Sequence, residues 1–124
     1  MIILTGISGG IGLPLAKYMA KIDSVIGIYK KNKPLIKIKN VKFIQCDISD
    51  EKQLIKLEKY IKNKGKLILI SAAAVKLDNL LINQSMNDWK KIIDINLGSN
   101  FLLCKFLIKK MIFSQWGRVI FFSS

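Results

Sequence analysis

Residues 2–12 read Ile2-Ile3-Leu4-Thr5-Gly6-Ile7-Ser8-Gly9-Gly10-Ile11-Gly12. A short apolar run passes into a glycine-rich turn, and a helix is expected to begin near Ile11, with Pro14 tolerated in its first turn. Working outward, the same alternation recurs. Residues 24–29 are strand-like, residues 30–40 form a basic stretch of loop or short helix around Pro34, and residues 41–46 alternate into a third strand. Ser49-Asp50 can cap a helix running to about Asn63, with Leu54, Leu57 and Ile61 on its apolar face and Gly65 as its stop. Residues 67–70 are continuously apolar, as a strand covered on both faces requires. Ser85-x-x-Asp88 forms a capping box for one long helix over residues 86–112. Its apolar face is read as Ile93, Leu97, Phe101, Ile108 and Ile112. Gly117 leads into a fifth strand over residues 118–122. Strands alternating with helices predict an α/β fold: a doubly wound parallel sheet of five strands with helices on both faces.

The glycines are spaced for a chemical task. Gly6 permits a tight turn after the strand. Gly10 lets backbone N–H groups approach a pyrophosphate, and Gly12 lets the helix pack close to the strand. The helix N-terminus adds a partial positive charge. A Gly-rich turn with no ligand is the plain structural alternative.

Composition narrows the rest. The chain has 124 residues, the size of one domain, and 51% of them are apolar. It contains no His, which removes His-based triads and most zinc sites. Cys46 and Cys104 lie far apart in no metal or redox spacing, as suits a reducing, cytoplasmic compartment. The net charge is +13, which raises nucleic acid or an anionic membrane as partners. Arg118 is the lone arginine among 21 basic residues, Ile far outnumbers Val, and the lysines are scattered. That pattern reads as the codon bias of an AT-rich genome, and phosphate and base recognition favours Arg. Neither nucleic acid nor a membrane is therefore expected as partner. Residues 1–16 carry no basic start and no 18-residue apolar run, so no targeting segment is read there.

Five landmarks in order make the chain resemble the short-chain dehydrogenase/reductase family. The loop is Thr-Gly-x-x-x-Gly-x-Gly. Asp47 follows the third strand in Cys46-Asp47-Ile48. Ser71-Ala72-Ala73-Ala74 stands where the family usually reads Asn-Asn-Ala-Gly. WKKIIDINLGSN, from Trp89 to Asn100, resembles the family's helix with its catalytic Asn, here Asn96. Finally GRVIFFSS, from Gly117 to Ser124, resembles the fifth strand ending at the catalytic Ser, here Ser124. The resemblance implies that residues 1–124 are an incomplete NAD(P)-binding Rossmann domain. It implies cofactor contacts at Thr5, Gly6, Ser8, Gly10, Ile11, Gly12, Asp47, Ile48, Ala72, Ala73 and Ala74, and catalytic roles for Asn96 and Ser124. The implied reaction moves a hydride between a nicotinamide and a small-molecule carbonyl or alcohol, with 3-oxoacyl-carrier-protein reduction as one common outcome of the family. It also implies a homo-oligomer for the complete protein.

Two departures stand out. Ser71-Ala72-Ala73-Ala74 lacks both Asn side chains, and the chain reaches Ser124 without the family's Tyr-x-x-x-Lys. The expectation is a truncated reductase, inactive as 124 residues alone, with a non-catalytic dinucleotide-binding module as the alternative. Tyr29-x-x-x-Lys33 and Tyr60-x-x-x-Lys64 match the spacing but lie upstream of the fourth strand, and among 20 lysines such matches arise by chance. For the cofactor, an NAD site wants an acid at the end of the second strand. Lys30 and Lys31 stand there instead and can meet a 2′-phosphate, which favours NADP over NAD.

Overall fold

The computed structural model describes residues 1–61 and 65–123. Five strands form one sheet in the order β3-β2-β1-β4-β5: β1 Ile2–Thr5, β2 Val25–Tyr29, β3 Val41–Gln45, β4 Leu67–Ser71 and β5 Gly117–Phe121. Every pairing is parallel, and Thr5 stands level with Ile28 on one side and Ser71 on the other. The carboxyl ends of β1, β2 and β4 therefore lie at one edge, and the strand order reverses between β1 and β4. In an open α/β sheet that reversal opens a crevice for a ligand.

Side-chain alternation explains why both faces are covered. Ile3, Ile26, Ile28, Leu67 and Leu69 pack with helices α2 (Glu51–Leu57) and α4 (Ser99–Phe113). Ile2, Leu4, Val25 and Ile70 pack with Ala16 and Ala20 at helix α1 (Gly12–Met19). Central strands sandwiched in this way need continuous apolar runs, as β1 and β4 have up to their last residues, Thr5 and Ser71. Among the described residues, no helix is long and apolar enough to cross a membrane.

Two helices differ from the sequence expectation. Helix α2 ends at Leu57 and tightens into a 3-10 turn over Glu58–Tyr60. The expected end near Asn63 lies outside the described residues. Asp50 is its N-cap, with its carboxylate accepting from the N–H groups of Lys52 and Gln53. The single long helix is instead α3 (Met86–Ile93), a π-helical turn over Asp94–Gly98, and α4. Ser85 caps α3 as expected, accepting from Asp88 N–H at 3.0 Å.

The face turned to the core also differs from the apolar face expected. The residues of α4 that enter the core are Ser99, Leu103, Leu107 and Met111. Phe101 and Ile112 are 65% and 68% exposed, and Ile93, Leu97 and Ile108 are exposed too. Helix α4 is apolar around most of its circumference, so an i, i+4 apolar set does not by itself choose the side that packs on the sheet. Leu107→Ala should therefore cost about 2–5 kcal/mol of stability, as a cavity in a packed core does. Phe101→Ser should change stability by only about 0.5 kcal/mol or less. Urea melts of the two variants measure this directly, and equal losses would contradict the assigned face.

Candidate cofactor site

The glycine loop is shaped by contacts that only glycine permits. Gly6 has φ +69°, and a Cβ there would lie 2.7 Å from Ala72 O and Ala73 N. Thus the loop after β1 presses directly on the backbone after β4. A Cβ on Gly12 would overlap the Gly6 carbonyl, so α1 begins against the loop itself. The space where a Gly10 Cβ would stand is open to 4 Å. Gly9 N–H donates to Gly6 O at 2.9 Å, and the Ser8 hydroxyl donates to Asn32 O at 2.7 Å, tying the loop to the segment after β2. Among the described residues no side chain caps α1 at Ile11 and no acid lies in its first turn; Leu13 N–H turns to Gly9 O at 3.4 Å, and the helix start keeps its partial positive charge toward an anion.

A cavity of about 340 Å³ opens above this loop. Of the residues expected to meet a cofactor, Gly6, Ser8, Lys30, Lys31, Asp47, Ile48, Ala72, Ala73 and Ala74 line it. Thr5 does not; it is fully buried beneath the loop and holds Ala73 N–H on its hydroxyl at 3.2 Å. Gly10, Ile11 and Gly12 form the end of the loop and the start of α1, outside the lining. Asn96 lines a neighbouring cavity of about 530 Å³, with Ser71, Asn100, Phe121 and Ser123. Ser124 lies outside the described residues.

Sequence reasoning missed Gly9, Ile28, Tyr29, Asn32, Cys46, Val75 and Ile95, which also line the first cavity. Several had a signal: Ile28 and Tyr29 end β2, and Val75 follows Ala74 directly. Tyr29 stands at the β2 end of the cavity, beside Lys30 and Lys31, while Asn96 lies in the neighbouring one. Tyr60 belongs to the outer edge of the sheet, where Lys42 Nζ sits 4.5 Å from its ring centroid. Its spacing partner Lys64 lies outside the described residues.

The charges in the cavity pair across strands. Lys30 Nζ is 2.6 Å from Asp47 Oδ2. Burial works to raise the Asp47 carboxyl, but Lys30 and the Ser49 hydroxyl and N–H outweigh it and hold it below the usual carboxylate range. No ion pair engages Lys31 among the described residues, and its ammonium is exposed at the cavity wall. Burial, with Asp47 and Asp50 nearby, pushes the Cys46 thiol up to about 11, so it is an unreactive neutral group at neutral pH.

The fold and this crevice define a dinucleotide-binding α/β domain. The open space over Gly10, the uncapped start of α1 and the free Lys31 fit a phosphorylated cofactor. The sequence profile of the short chain dehydrogenases matches residues 1–124, and the chain belongs to that short-chain dehydrogenase/reductase family. It is 35% identical over 128 residues to a 3-oxoacyl-[acyl-carrier-protein] reductase FabG of Rickettsia typhi, covering 98% of this chain and 52% of that protein. It is 31% identical to the 3-oxoacyl-[acyl-carrier-protein] reductase FabG of Buchnera aphidicola, covering 95% of this chain and 52% of that protein. The chain thus spans about half the length of the curated relatives it matches. Among solved structures, ElxO with NADP bound superposes with a TM-score of 0.87 at 27% identity, covering 99% of this chain and 54% of that one. A short chain dehydrogenase of Leptospira borgpetersenii with bound NAD+ shares the fold at a TM-score of 0.83 and 22% identity, covering 99% of this chain and 50% of that one.

The Lys30–Asp47 pair has a pH signature. The folded carboxyl titrates below its unfolded value of 3.8, so the unfolded chain binds more protons and stability rises with pH. The contribution is complete above the unfolded value and is lost as pH falls through the lower folded one. Wild type and Asp47→Asn should therefore converge in stability as melts are taken from neutral pH into the acid range. A constant difference across that range would contradict the pairing.

Proposed function

We propose that these residues form the cofactor half of a short-chain oxidoreductase that uses NADP(H) and acts on a small-molecule carbonyl or alcohol. The observation that carries the reading is the glycine loop pressed against Ala72 and Ala73, with an uncapped helix start behind it and an exposed lysine at the β2 end. Loop N–H groups and the α1 N-terminus would take the pyrophosphate. Lys31 would meet the 2′-phosphate, with Lys30 steadied by Asp47 at its side. Asp47 would accept from the adenine amine, flanked by Ile48. The small Ala72, Ala73 and Ala74 would leave their backbone free to the sugar on the nicotinamide side. A nicotinamide bound there supplies hydride transfer. Asn96 and Ser124, by their family positions, would support the proton path and orient the substrate oxygen.

The relatives named as 3-oxoacyl-[acyl-carrier-protein] reductases support a 3-oxoacyl thioester as the substrate class. The neighbour solved with NADP supports the cofactor choice. The apolar stripe of Ile93, Leu97, Phe101, Ile108 and Ile112, left uncovered here, supports a homo-oligomer. Two free cysteines support a cytoplasmic setting.

Calorimetric titration with NADPH and NADH tests the cofactor assignment. NADPH should bind more tightly, and Lys31→Ala should cost NADPH about 1.5–3 kcal/mol, the worth of one charge-assisted contact, while leaving NADH nearly unchanged. Equal affinities of the unaltered chain for both cofactors would overturn the reading.

A further inference from the structure

Ser71 ends β4 and is only 3% exposed. Its hydroxyl lies 3.3 Å from Thr5 Oγ1 and 2.6 Å from Asn100 Oδ1. The Asn100 amide is oriented independently, because its Nδ2 donates to the Asn96 carbonyl at 2.8 Å and a carbonyl can only accept. Asn100 Oδ1 carries no hydrogen, so Ser71 must spend its single proton there. Thr5 must then donate to Ser71, and Thr5 in turn accepts Ala73 N–H at 3.2 Å. Every bond points the same way, from Ala73 N–H through Thr5, Ser71 and Asn100 to Asn96 O. Such a chain polarises each of its members.

The chain closes on itself at Asn96. The Asn96 amide grips the backbone of Val75 twice, with Oδ1 accepting Val75 N–H at 2.8 Å and Nδ2 donating to Val75 O at 2.9 Å. Residues 73–75 are thus held at both ends, by Thr5 and by Asn96, and Asn100 is the link between the two holds. The π turn makes this possible. Around it, side chains four residues on reach back to the carbonyls: Ser99 Oγ to Ile95 O at 2.5 Å, and Asn100 Nδ2 to Asn96 O.

We propose that Asn100 is a positioning residue that, with Ser71, sets the backbone of Ala73–Val75 through Asn96. The proposal rests on the reading of that backbone as a wall of the cofactor cavity. Asn100 acts through Asn96 and Ser71 and lines only the adjoining cavity.

Amide hydrogen exchange, thermal melting and NADPH titration on the 124-residue chain test it together. Asn100→Ala should speed exchange of Val75 N–H and Ala73 N–H by about tenfold, while the β1–β2 amides keep their protection. NADPH affinity should fall several-fold at a nearly unchanged melting temperature. In Ser71→Asn with Asn100→Ala, the longer amide at 71 can take Thr5 and reach toward Asn96 O, so Val75 protection and NADPH affinity should recover. A role confined to stability would show neither the affinity loss at constant melting nor this recovery. Should Asn100→Ala not fold, Asn100→Asp keeps the acceptor for Ser71 and removes the donor to Asn96 O, and it should show the same faster exchange. Unaltered Val75 exchange in a folded Asn100 variant overturns the proposal. If the unaltered chain binds no NADPH, the cofactor reading fails, and the Val75 exchange comparison still supports or overturns the role of Asn100.

Discussion

The contact of Gly6 with the backbone of Ala72 and Ala73 is the constraint on which the rest of the site depends. It brings the loop after β1 against the segment after β4, at the point where strand order reverses. No side chain intervenes, so the two backbones share one wall of the crevice. With Gly12 equally tight against Gly6, the start of α1 is fixed relative to the same wall. The N–H groups of an uncapped helix are thereby aimed at a defined place, which is what electrostatic recognition of a phosphate requires. Enlarging either glycine would separate elements that have to move as one.

Much of this was legible in the sequence because the causes are local. Continuous apolar runs at β1 and β4 announce strands covered on both faces. The glycine spacing announces a close turn, and Asp50 and Ser85 announce helix starts. The family landmarks pointed to Asp47 and Ala72–Ala74, which line the cavity, and to Asn96, which lines the adjoining one. The order of elements and the parallel sheet follow from those signals alone.

What could not be read arises from non-local or ambiguous causes. Helix α4 is apolar on most of its circumference, with Leu102, Phe106, Ile108 and Phe113 around the buried Leu103, Leu107 and Met111, so periodicity could not choose its inner face. The π turn over Asp94–Gly98 that interrupts the long helix has no simple residue signature. Lys30 read as a free cation for a phosphate, but its partner Asp47 comes from the end of a neighbouring strand, a contact created by sheet register. In sequence, Ser71-Ala72-Ala73-Ala74 read only as a segment lacking both Asn side chains. The structure shows Ser71 completed by Asn100, which lies 29 residues away and joins it across the sheet edge.

If the crevice above Gly6 is where the chain meets its cofactor, backbone amide shifts report that place directly. A two-dimensional spectrum of the 15N-labelled chain, titrated with NADP+, should move Gly6, Ser8, Gly10, Lys31 and Ala73. It should leave Lys42 and Tyr60, at the outer edge of the sheet, in position. Shifts confined to that lysine-rich edge, or none at the glycine loop at saturating NADP+, would contradict it.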